Sequence, residues 1–301
     1  MPRLMVTGAN GQVGFELARA LAPLGDVVSL TRRDCELTDE VALRRCLDEV
    51  RPDVIVNPAA WTAVDRAESD PATTFMVNAE LPARLAEEAS RRGVLLVHYS
   101  TDYVFDGSLD RPYREDDPTH PLSVYGLSKC KGEEAVRASE ARHLILRTSW
   151  VYGTHGANFV KTVLRLAAER ESLSMVADQI GAPTSSALIA DATAHMVAHY
   201  LREPGRFAGG TYHLTAAGET SWHGLARFVV QTALELGWPL SLSPDAILPI
   251  PASGYPLPAA RPANSRLDTS RVRYDFGLTL PPWQDGVRQM LISMDALRRT
   301  V

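Results

Sequence analysis

The sequence predicts an α/β protein, a doubly wound parallel sheet with a smaller C-terminal region assembled over the ends of its strands. Two observations carry this. Short, nearly unbroken apolar runs such as Leu4–Thr7, Val54–Asn57 and Leu95–Ser100 alternate with helical patterns through the first half. Strands covered on both faces read as such runs, whereas half-exposed strands alternate. A glycine-rich turn, Gly8-Ala9-Asn10-Gly11-Gln12-Val13-Gly14, also lies between the first strand and the first helix. Repeated βα units imply right-handed crossovers and place ligands at the carboxyl ends of the strands.

The elements follow in order. Leu4–Thr7 reads as a strand, Gln12–Leu21 as a helix, Val27–Leu30 as a strand and Glu40–Val50 as a helix. Val54–Asn57, the helix Thr73–Arg91 and the strand Leu95–Ser100 continue the rhythm, and Tyr125–Ala138 and Leu144–Leu146 close it. Beyond about residue 153 the rhythm changes. Helices are expected over Asn158–Glu169, Leu188–Leu201 and Ser221–Leu236, with strands at Leu173–Val176 and Thr211–Leu214. Pro249, Pro251, Pro256, Pro258 and Pro262 keep their segment extended or looped, since proline lacks the N–H that a helix interior needs. We therefore expect a dinucleotide-binding unit over residues 1–153, joined by returning segments of the second half. Residues 154–301 are expected to form mainly a substrate-binding cap.

With 301 residues the chain can bury a substantial core. A net charge of −5 gives no sign of a nucleic-acid or membrane partner, and arginine pairs such as Arg44–Arg45 and Arg91–Arg92 read as solvated helix faces. Cys35, Cys46 and Cys130 are an odd set without CxxC spacing, so reduced thiols in a cytoplasmic protein are expected. No apolar run of about 18 residues occurs, and no export leader or membrane anchor is expected.

The glycine turn has the GxxGxxG spacing of a Rossmann-type dinucleotide loop. Gly8 allows the tight turn, Gly11 the close approach of backbone to a pyrophosphate, and Gly14 the packing of helix on strand. Asn10, Gln12 and Val13 complete the loop. The end of the second strand chooses the nicotinamide. A carboxylate there would hold the ribose hydroxyls, but Thr31-Arg32-Arg33 offers two guanidiniums suited to a 2′-phosphate. NADPH is expected, with NADH left open as a second donor. Asp34 and Leu37 are expected at the adenine edge, and Ala59 and Ala60 along the path of the cofactor.

Tyr125 and Lys129 lie four residues apart, which sets both on one helix face. The lysine charge is expected to bring the phenol pKa down toward working pH, where it can exchange a proton with a carbonyl oxygen. Thr101, at the end of its strand, supplies a hydroxyl for the same oxygen.

At these residues a resemblance emerges. The runs Tyr99–Gly107 and Pro121–Lys129 resemble extended short-chain dehydrogenases. Ala63–Glu68, Arg147–Gly153, Asp178–Thr184 and Arg261–Thr269 resemble, more narrowly, the dTDP-4-dehydrorhamnose reductase family. The likeness runs from the glycine loop to the C-terminal helix near Trp283–Met294. It implies hydride transfer from a nicotinamide to C4 of dTDP-4-dehydro-6-deoxy-L-mannose. Tyr125 would be the proton donor, Lys129 would hold the nicotinamide ribose, and Thr101 would orient the ketone. The resemblance places Asp102, Tyr103 and Trp150 beside the sugar, and the segments Asp178–Thr184 and Arg261–Ser265 at the nucleotide diphosphate. Trp150 as plain core and Arg261 in a structural ion pair are the competing readings.

Four other functions share this fold. A 4,6-dehydratase carries Asp-Glu after the threonine, whereas Asp102-Tyr103 stands here. An epimerase, or a reductase of another 4-keto-6-deoxysugar, stays open, although Thr31 speaks against a tightly held NAD. The non-catalytic subunit that accompanies methionine adenosyltransferase has the same fold, but the intact trio speaks against that role. Some members of the family dimerise around magnesium held by acidic residues. Glu16 could serve as one ligand, but Ser186-Ala187-Leu188 offers no second. A monomer or homodimer without a metal bridge is expected, with Glu16 a solvated helix residue.

Overall fold

A computed structural model describes residues 1–300, with side chains through Arg298. Strand β1 (Arg3–Val6) leads through the glycine turn into helix α1 (Gln12–Leu21), followed by β2 (Asp26–Ser29) and α2 (Glu40–Val50). Then come β3 (Val54–Asn57), α3 (Val64–Ser69), α4 (Pro71–Phe75), α5 (Leu81–Arg92) and β4 (Leu95–Thr101). Helix α6 (Val124–Ala138) and β5 (His143–Thr148) end the first half. The second half adds β6 (Val151–Tyr152), α7 (Phe159–Glu169), β7 (Leu173–Val176), β8 (Ile180–Gly181), β9 (Thr184–Ser185) and α8 (Ser186–Arg202). It finishes with β10 (Gly210–His213), β11 (Thr220–Ser221), α9 (Trp222–Glu235), β12 (Ile247–Ile250), α10 (Ser270–Phe276) and α11 (Trp283–Thr300).

Six strands form the main sheet in the order β10-β5-β4-β3-β1-β2, every pair parallel. The doubly wound fold class is therefore as expected. The chain reverses direction across the sheet between β1 and β3, the place where a crevice opens. Alternate residues face opposite layers, as period-two strands require. Leu4, Val6, Val54, Val56, Leu95 and Val97 pack under α1, α8 and α10, while Met5, Ile55, Leu96 and Ile145 pack under α2, α5 and α6. A second apolar core joins α7, α9 and α11 through Val163, Leu164, Leu225, Val229 and Leu291.

Two features of the second half bear on the layers. Strand β10 extends the main sheet beside β5, and α8 covers the sheet next to α1. The proline-rich segment begins as a strand, with β12 pairing β7 in parallel. Cys35, Cys46 and Cys130 are free and buried. Among the described residues no helix is long and apolar enough to cross a membrane.

The helix expected over Thr73–Arg91 is interrupted. Between α4 and α5 the residues Met76–Glu80 form a π-turn. Pro82 explains the break: it has no N–H for the Asn78 carbonyl four residues earlier, and its ring pushes that carbonyl outward. The freed carbonyl lies against α6 at Gly132, where an added Cβ would sit 2.2 Å from Asn78 O. The Asn78 amide meanwhile accepts from Trp61 N (2.8 Å), donates to Trp61 O (2.9 Å) and reaches Ser128 Oγ (3.0 Å). One proline thus seats the helix that carries Tyr125 and Lys129.

Arg44, Arg45 and Arg91 are exposed, as solvated helix faces should be, and of the two pairs only Arg92 is largely covered. Arg44, Arg91 and Arg92 converge on the buried carboxylate of Glu88.

Candidate active site

The glycine turn is built as its spacing implies. Gly8 has φ +54, and a side chain there would press on Ala59 across the β1/β3 crevice at 2.9 Å. A Cβ on Gly14 would meet the Gly8 carbonyl oxygen at 2.2 Å. Gly11 stands at the start of α1 and brings no side chain to cap it, so the first amides of the helix face the crevice free to bind an anion. His155 Nε2 lies 2.9 Å from the Asn10 carbonyl, with its ring stacked on Phe15, and Asn158 Nδ2 donates to Gln12 Oε1 at 3.0 Å. The second half therefore clasps the loop from outside.

Two connected cavities follow. One, of about 430 Å³, is lined by Gly8, Arg32, Leu37, Ala59 and Ala60 among others. The other, of about 560 Å³, shares Asn10, Gly11, Pro58 and Ala60 with it and continues to Thr101, Tyr125, Lys129 and Trp150. Together they run from the end of β2 to Thr101, Tyr125 and Lys129. Arg32 is largely exposed, with Glu36 3.9 Å away. Asp34 instead turns back, accepting from Thr31 N (2.8 Å) and Thr31 Oγ1 (2.7 Å), and so closes the loop after β2. Arg33 likewise takes its backbone bond from within this loop, donating N–H to Thr31 Oγ1 at 3.3 Å.

Helix α6 begins at the N-cap Ser123, whose Oγ accepts from Gly126 N at 3.2 Å. Gly126 has no room for a side chain: a Cβ would lie 2.2 Å from the Tyr103 carbonyl. That close approach brings the Tyr103 and Tyr125 rings edge to face at 5.4 Å. Tyr125 is buried beside the Thr101 hydroxyl. Burial pushes its phenol up to about 12, against the opposing hydrogen bond from Thr101 and with the help of the Asp102 charge. The expected downward shift is therefore not found in the free chain. Lys129 explains the difference, because its amino group donates to Tyr99 O at 2.6 Å and sits 3.4 Å from His98 Nε2. Burial lowers the Lys129 amine to about 8, opposed by the charge of Glu133 one turn on.

Asp102 is also buried. Its Oδ1 accepts from Thr101 Oγ1 at 3.0 Å, while Oδ2 finds no hydrogen-bonding partner among the described residues. Burial lifts its carboxyl to about 6, only partly offset by the hydroxyls of Ser265 and Thr101.

Trp150 lines the cleft in a left-handed conformation, φ 48, that a bulky residue adopts only under constraint. It lies over Gly181, where a Cβ would be 2.7 Å from the indole, and stacks on Trp222 with ring centroids 3.6 Å apart. Trp222, Ser149 and Asn158 line the same cavity and were not singled out in the sequence. Nothing local marks Trp222 beyond its place just after the N-cap of α9.

Arg261 forms the structural ion pair, its Nη2 2.8 Å and Nη1 3.2 Å from the two oxygens of Asp65. The segments around it and Asp178–Thr184 are joined to each other: Ile180 N donates to Ala263 O (2.8 Å) and Ser265 N to Ile180 O (2.7 Å). Glu16, expected in solvent, is mostly covered and paired with Arg19 at 3.2 Å, and the same guanidinium reaches Asp191 on α8 at 2.8 Å. Asp191 is the acidic residue on α8 that the segment Ser186–Leu188 did not reveal. Among the described residues, no group of three or more His, Cys, Asp or Glu is arranged to hold a metal ion.

Fold and site together define an oxidoreductase of the extended short-chain dehydrogenase class. The family model described as "RmlD substrate binding domain" matches residues 2–296, and the chain belongs to that family, the dTDP-4-dehydrorhamnose reductases. It is 50% identical over 287 residues to a dTDP-4-dehydrorhamnose reductase of Burkholderia thailandensis, covering 95% of this chain and 96% of the relative. The corresponding enzyme of Escherichia coli K12 is 45% identical over 292 residues, 96% of each chain. Among solved structures, the dTDP-4-dehydrorhamnose reductase of Bacillus anthracis in complex with NADP superposes with a TM-score of 0.87 at 33% identity. That superposition covers 97% of this chain and 99% of the other.

Proposed function

We propose that this chain reduces the C4 ketone of dTDP-4-dehydro-6-deoxy-L-mannose (dTDP-4-dehydro-L-rhamnose) to dTDP-L-rhamnose. NADPH is the preferred donor and Tyr125 the proton donor. Relatives at 45–50% identity that carry this activity in their names support the substrate, and the Bacillus anthracis complex supports the cofactor. We read the β1–β5 unit with its returning segments as the cofactor half and the remainder mainly as the sugar-nucleotide cap, in a cytoplasmic enzyme that works as a monomer or homodimer.

Bound NADPH supplies the hydride that adds to C4 of the ketone. The amides at the start of α1 bind its pyrophosphate, Arg32 takes the 2′-phosphate, and Ala59, Ala60 and Leu37 line its path. Thr101, turning its hydroxyl proton from Asp102 Oδ1, donates a hydrogen bond to the carbonyl oxygen and fixes its direction. Tyr125 gives that oxygen its phenolic proton as negative charge develops. A phenol pushed up to about 12 is fully protonated at neutral pH, so the proton is in place when the reduction needs it. Lys129 then stabilises the phenolate left behind and holds the nicotinamide ribose. Trp150, Tyr103 and Asp102 contact the sugar, with Trp222 backing Trp150.

One observation carries this reading: Thr101, Tyr125 and Lys129 open on the same cleft as the uncapped start of α1. The test is direct. Purified chain is mixed with NADPH and the dTDP-4-keto sugar, cofactor absorbance is followed, and the product is identified by mass and by comparison with dTDP-L-rhamnose. A chain that binds both ligands and leaves NADPH unoxidised is not this reductase.

A further inference from the structure

Behind the cleft, a row of buried polar side chains crosses the sheet. Thr7 Oγ1 lies 2.6 Å from Asn57 Oδ1, and Asn57 Nδ2 lies 3.2 Å from His98 Nδ1. His98 Nε2 lies 3.4 Å from Lys129 Nζ. Thr7, Asn57 and His98 are fully buried and Lys129 nearly so. The row starts one residue before Gly8 of the dinucleotide loop, passes through β3 and β4, and ends on α6. A core of valine and leucine would fill this space more cheaply, because buried polar groups are costly unless every one is paired. His98 does not line the cleft and has no part in the reaction as described above.

We propose that His98 is a positioning residue for Lys129: locked by Asn57 and Thr7, its ring fixes the amino group, and the polarity of the whole row follows the charge on the lysine. The inference rests on the role given to Lys129 under the proposed function and adds a control behind it.

The argument is one of donors and acceptors. An ammonium can only donate, and a neutral imidazole has one N–H and one bare nitrogen. His98 is held neutral, far below its ordinary value, by burial and by the Lys129 charge. Asn57 Nδ2 facing Nδ1 makes Nδ1 the acceptor and leaves the imidazole proton on Nε2, where it points at Lys129. That arrangement suits an uncharged amine. A charged Lys129 needs the opposite order. The imidazole proton then sits on Nδ1 and donates to Asn57 Oδ1, while Asn57 Nδ2 donates to Thr7 Oγ1 after a half-turn of the amide. Both orders keep Asn57 and His98 paired between Thr7 and Lys129, so the row accommodates either charge state of the lysine, with the Thr7 hydroxyl changing from donor to acceptor.

The surroundings limit what else could reorder it. On His98 the charge that acts is that of Lys129, while Asn57 on β3 and Thr7 on β1 are neutral. On Lys129 the charge that acts is Glu133 of its own helix, itself held by Arg147 of β5 and Arg137. The Tyr99 carbonyl of β4 is a fixed acceptor, and Tyr125 lies one turn back on α6.

His98→Leu fills the space and removes the acceptor, whereas the side-chain oxygen of His98→Gln can still receive the ammonium. We expect His98→Leu to lose about 10- to 100-fold in kcat at neutral pH, the cost of a misplaced catalytic group. Its alkaline limb should move, NADPH affinity should be nearly kept, and His98→Gln should regain most of the loss. A folded His98→Leu enzyme with wild-type kcat and pH profile overturns the proposal, as does a glutamine variant no better than leucine. Nitrogen NMR of histidine-labelled protein needs neither substrate nor a variant at His98. Below the lysine's titration, the Nδ1–H form is expected in the wild type and the Nε2–H form in Lys129→Met. The same tautomer in both proteins overturns the proposal. Because that readout is independent of turnover, a tautomer switch in a chain that leaves the dTDP-sugar untouched refutes the proposed reaction while upholding the His98–Lys129 link.

Discussion

The Nζ of Lys129 lies 2.6 Å from the carbonyl oxygen of Tyr99, so α6 is pinned to β4 by the side chain that we propose serves the reaction. Thr101, two residues further along β4, meets Tyr125, one turn earlier on α6. Strand and helix are therefore matched at two points, one at the backbone carbonyl of Tyr99 and one between the side chains of Thr101 and Tyr125. In the free chain the lysine charge is spent on a carbonyl and an imidazole, which leaves the phenol protonated by burial. For a reductase this is the useful state.

Tyr125→Phe should abolish the proton donor and little else. The ring keeps its edge-to-face contact with Tyr103. We expect kcat to fall by about 10²- to 10⁴-fold, the usual worth of a positioned acid. NADPH affinity, measured by fluorescence titration, should change less than about 3-fold, because the proposed phosphate contacts are the glycine turn and Arg32. A comparable loss of NADPH binding would instead make the phenol part of the cofactor site.

Lys129 sets an alkaline limit. Its amine, lowered by burial from 10.5 to about 8, loses its charge as pH rises through that value, and kcat should fall there. Stability runs the other way. Between about 8 and 10.5 the unfolded chain holds a proton on this lysine that the folded chain has released, so the free energy of unfolding gains with pH. Relative to Lys129→Met, the wild type should carry its full burial penalty below pH 8 and lose it by pH 10.5. Urea melts of the two proteins across that range measure the gap.

Asp102 should show the same linkage with a carboxyl. Its folded value of about 6 stands above the ordinary 3.8, so the folded chain holds the extra proton between them and stability falls as pH rises through the window. Asp102→Asn keeps an acceptor for Thr101 and removes the buried charge. We expect its melting temperature to exceed that of the wild type above pH 6, and the difference to vanish below about pH 4. An equal or lower melting temperature at neutral pH would mean that Oδ2 is well solvated.

Arg32 should control the choice of nicotinamide. It is exposed and shares its position with Glu36, so its contribution is that of one charge-assisted contact to phosphate. Arg32→Ala is expected to raise KM for NADPH about 10-fold while leaving KM for NADH within about 2-fold. Equal losses for both cofactors would place the side chain elsewhere than at the 2′-phosphate.

The sheet, the glycine turn and the Tyr125–Lys129 pair were legible because each is a local pattern: apolar runs, glycine spacing and one helical turn. What stayed hidden depends on distant chain meeting at one point. Trp222 joins the cleft only because the start of α9 folds onto Trp150, and Arg261 finds Asp65 across 196 residues of sequence. The direction of the Tyr125 shift was misjudged for the same reason. Spacing places a lysine near a phenol, but the depth of burial and the pull of Tyr99 and His98 arise from packing. The break between α4 and α5 was readable in principle, since Pro82 stands four residues after Asn78.

Glu133 and Arg147 give the sharpest test of how α6 is held. Both are buried, with Arg147 Nε 2.8 Å from Oε1 and Nη2 2.7 Å from Oε2, and Arg137 adds a third bond at 2.8 Å. Removing one member strands the other charge in a medium that cannot solvate it. Glu133→Gln should therefore cost about 3–5 kcal/mol in urea unfolding, more than the net worth of the pair. Replacing both with apolar residues of similar volume should recover most of that loss, because no charge is then left unpaired. Since Glu133 also supports the charge of Lys129, the single variant should move the alkaline fall in kcat to lower pH. A loss of stability without that movement would confine Glu133 to packing, whereas both together would tie the fold of α6 to the charge at its catalytic end.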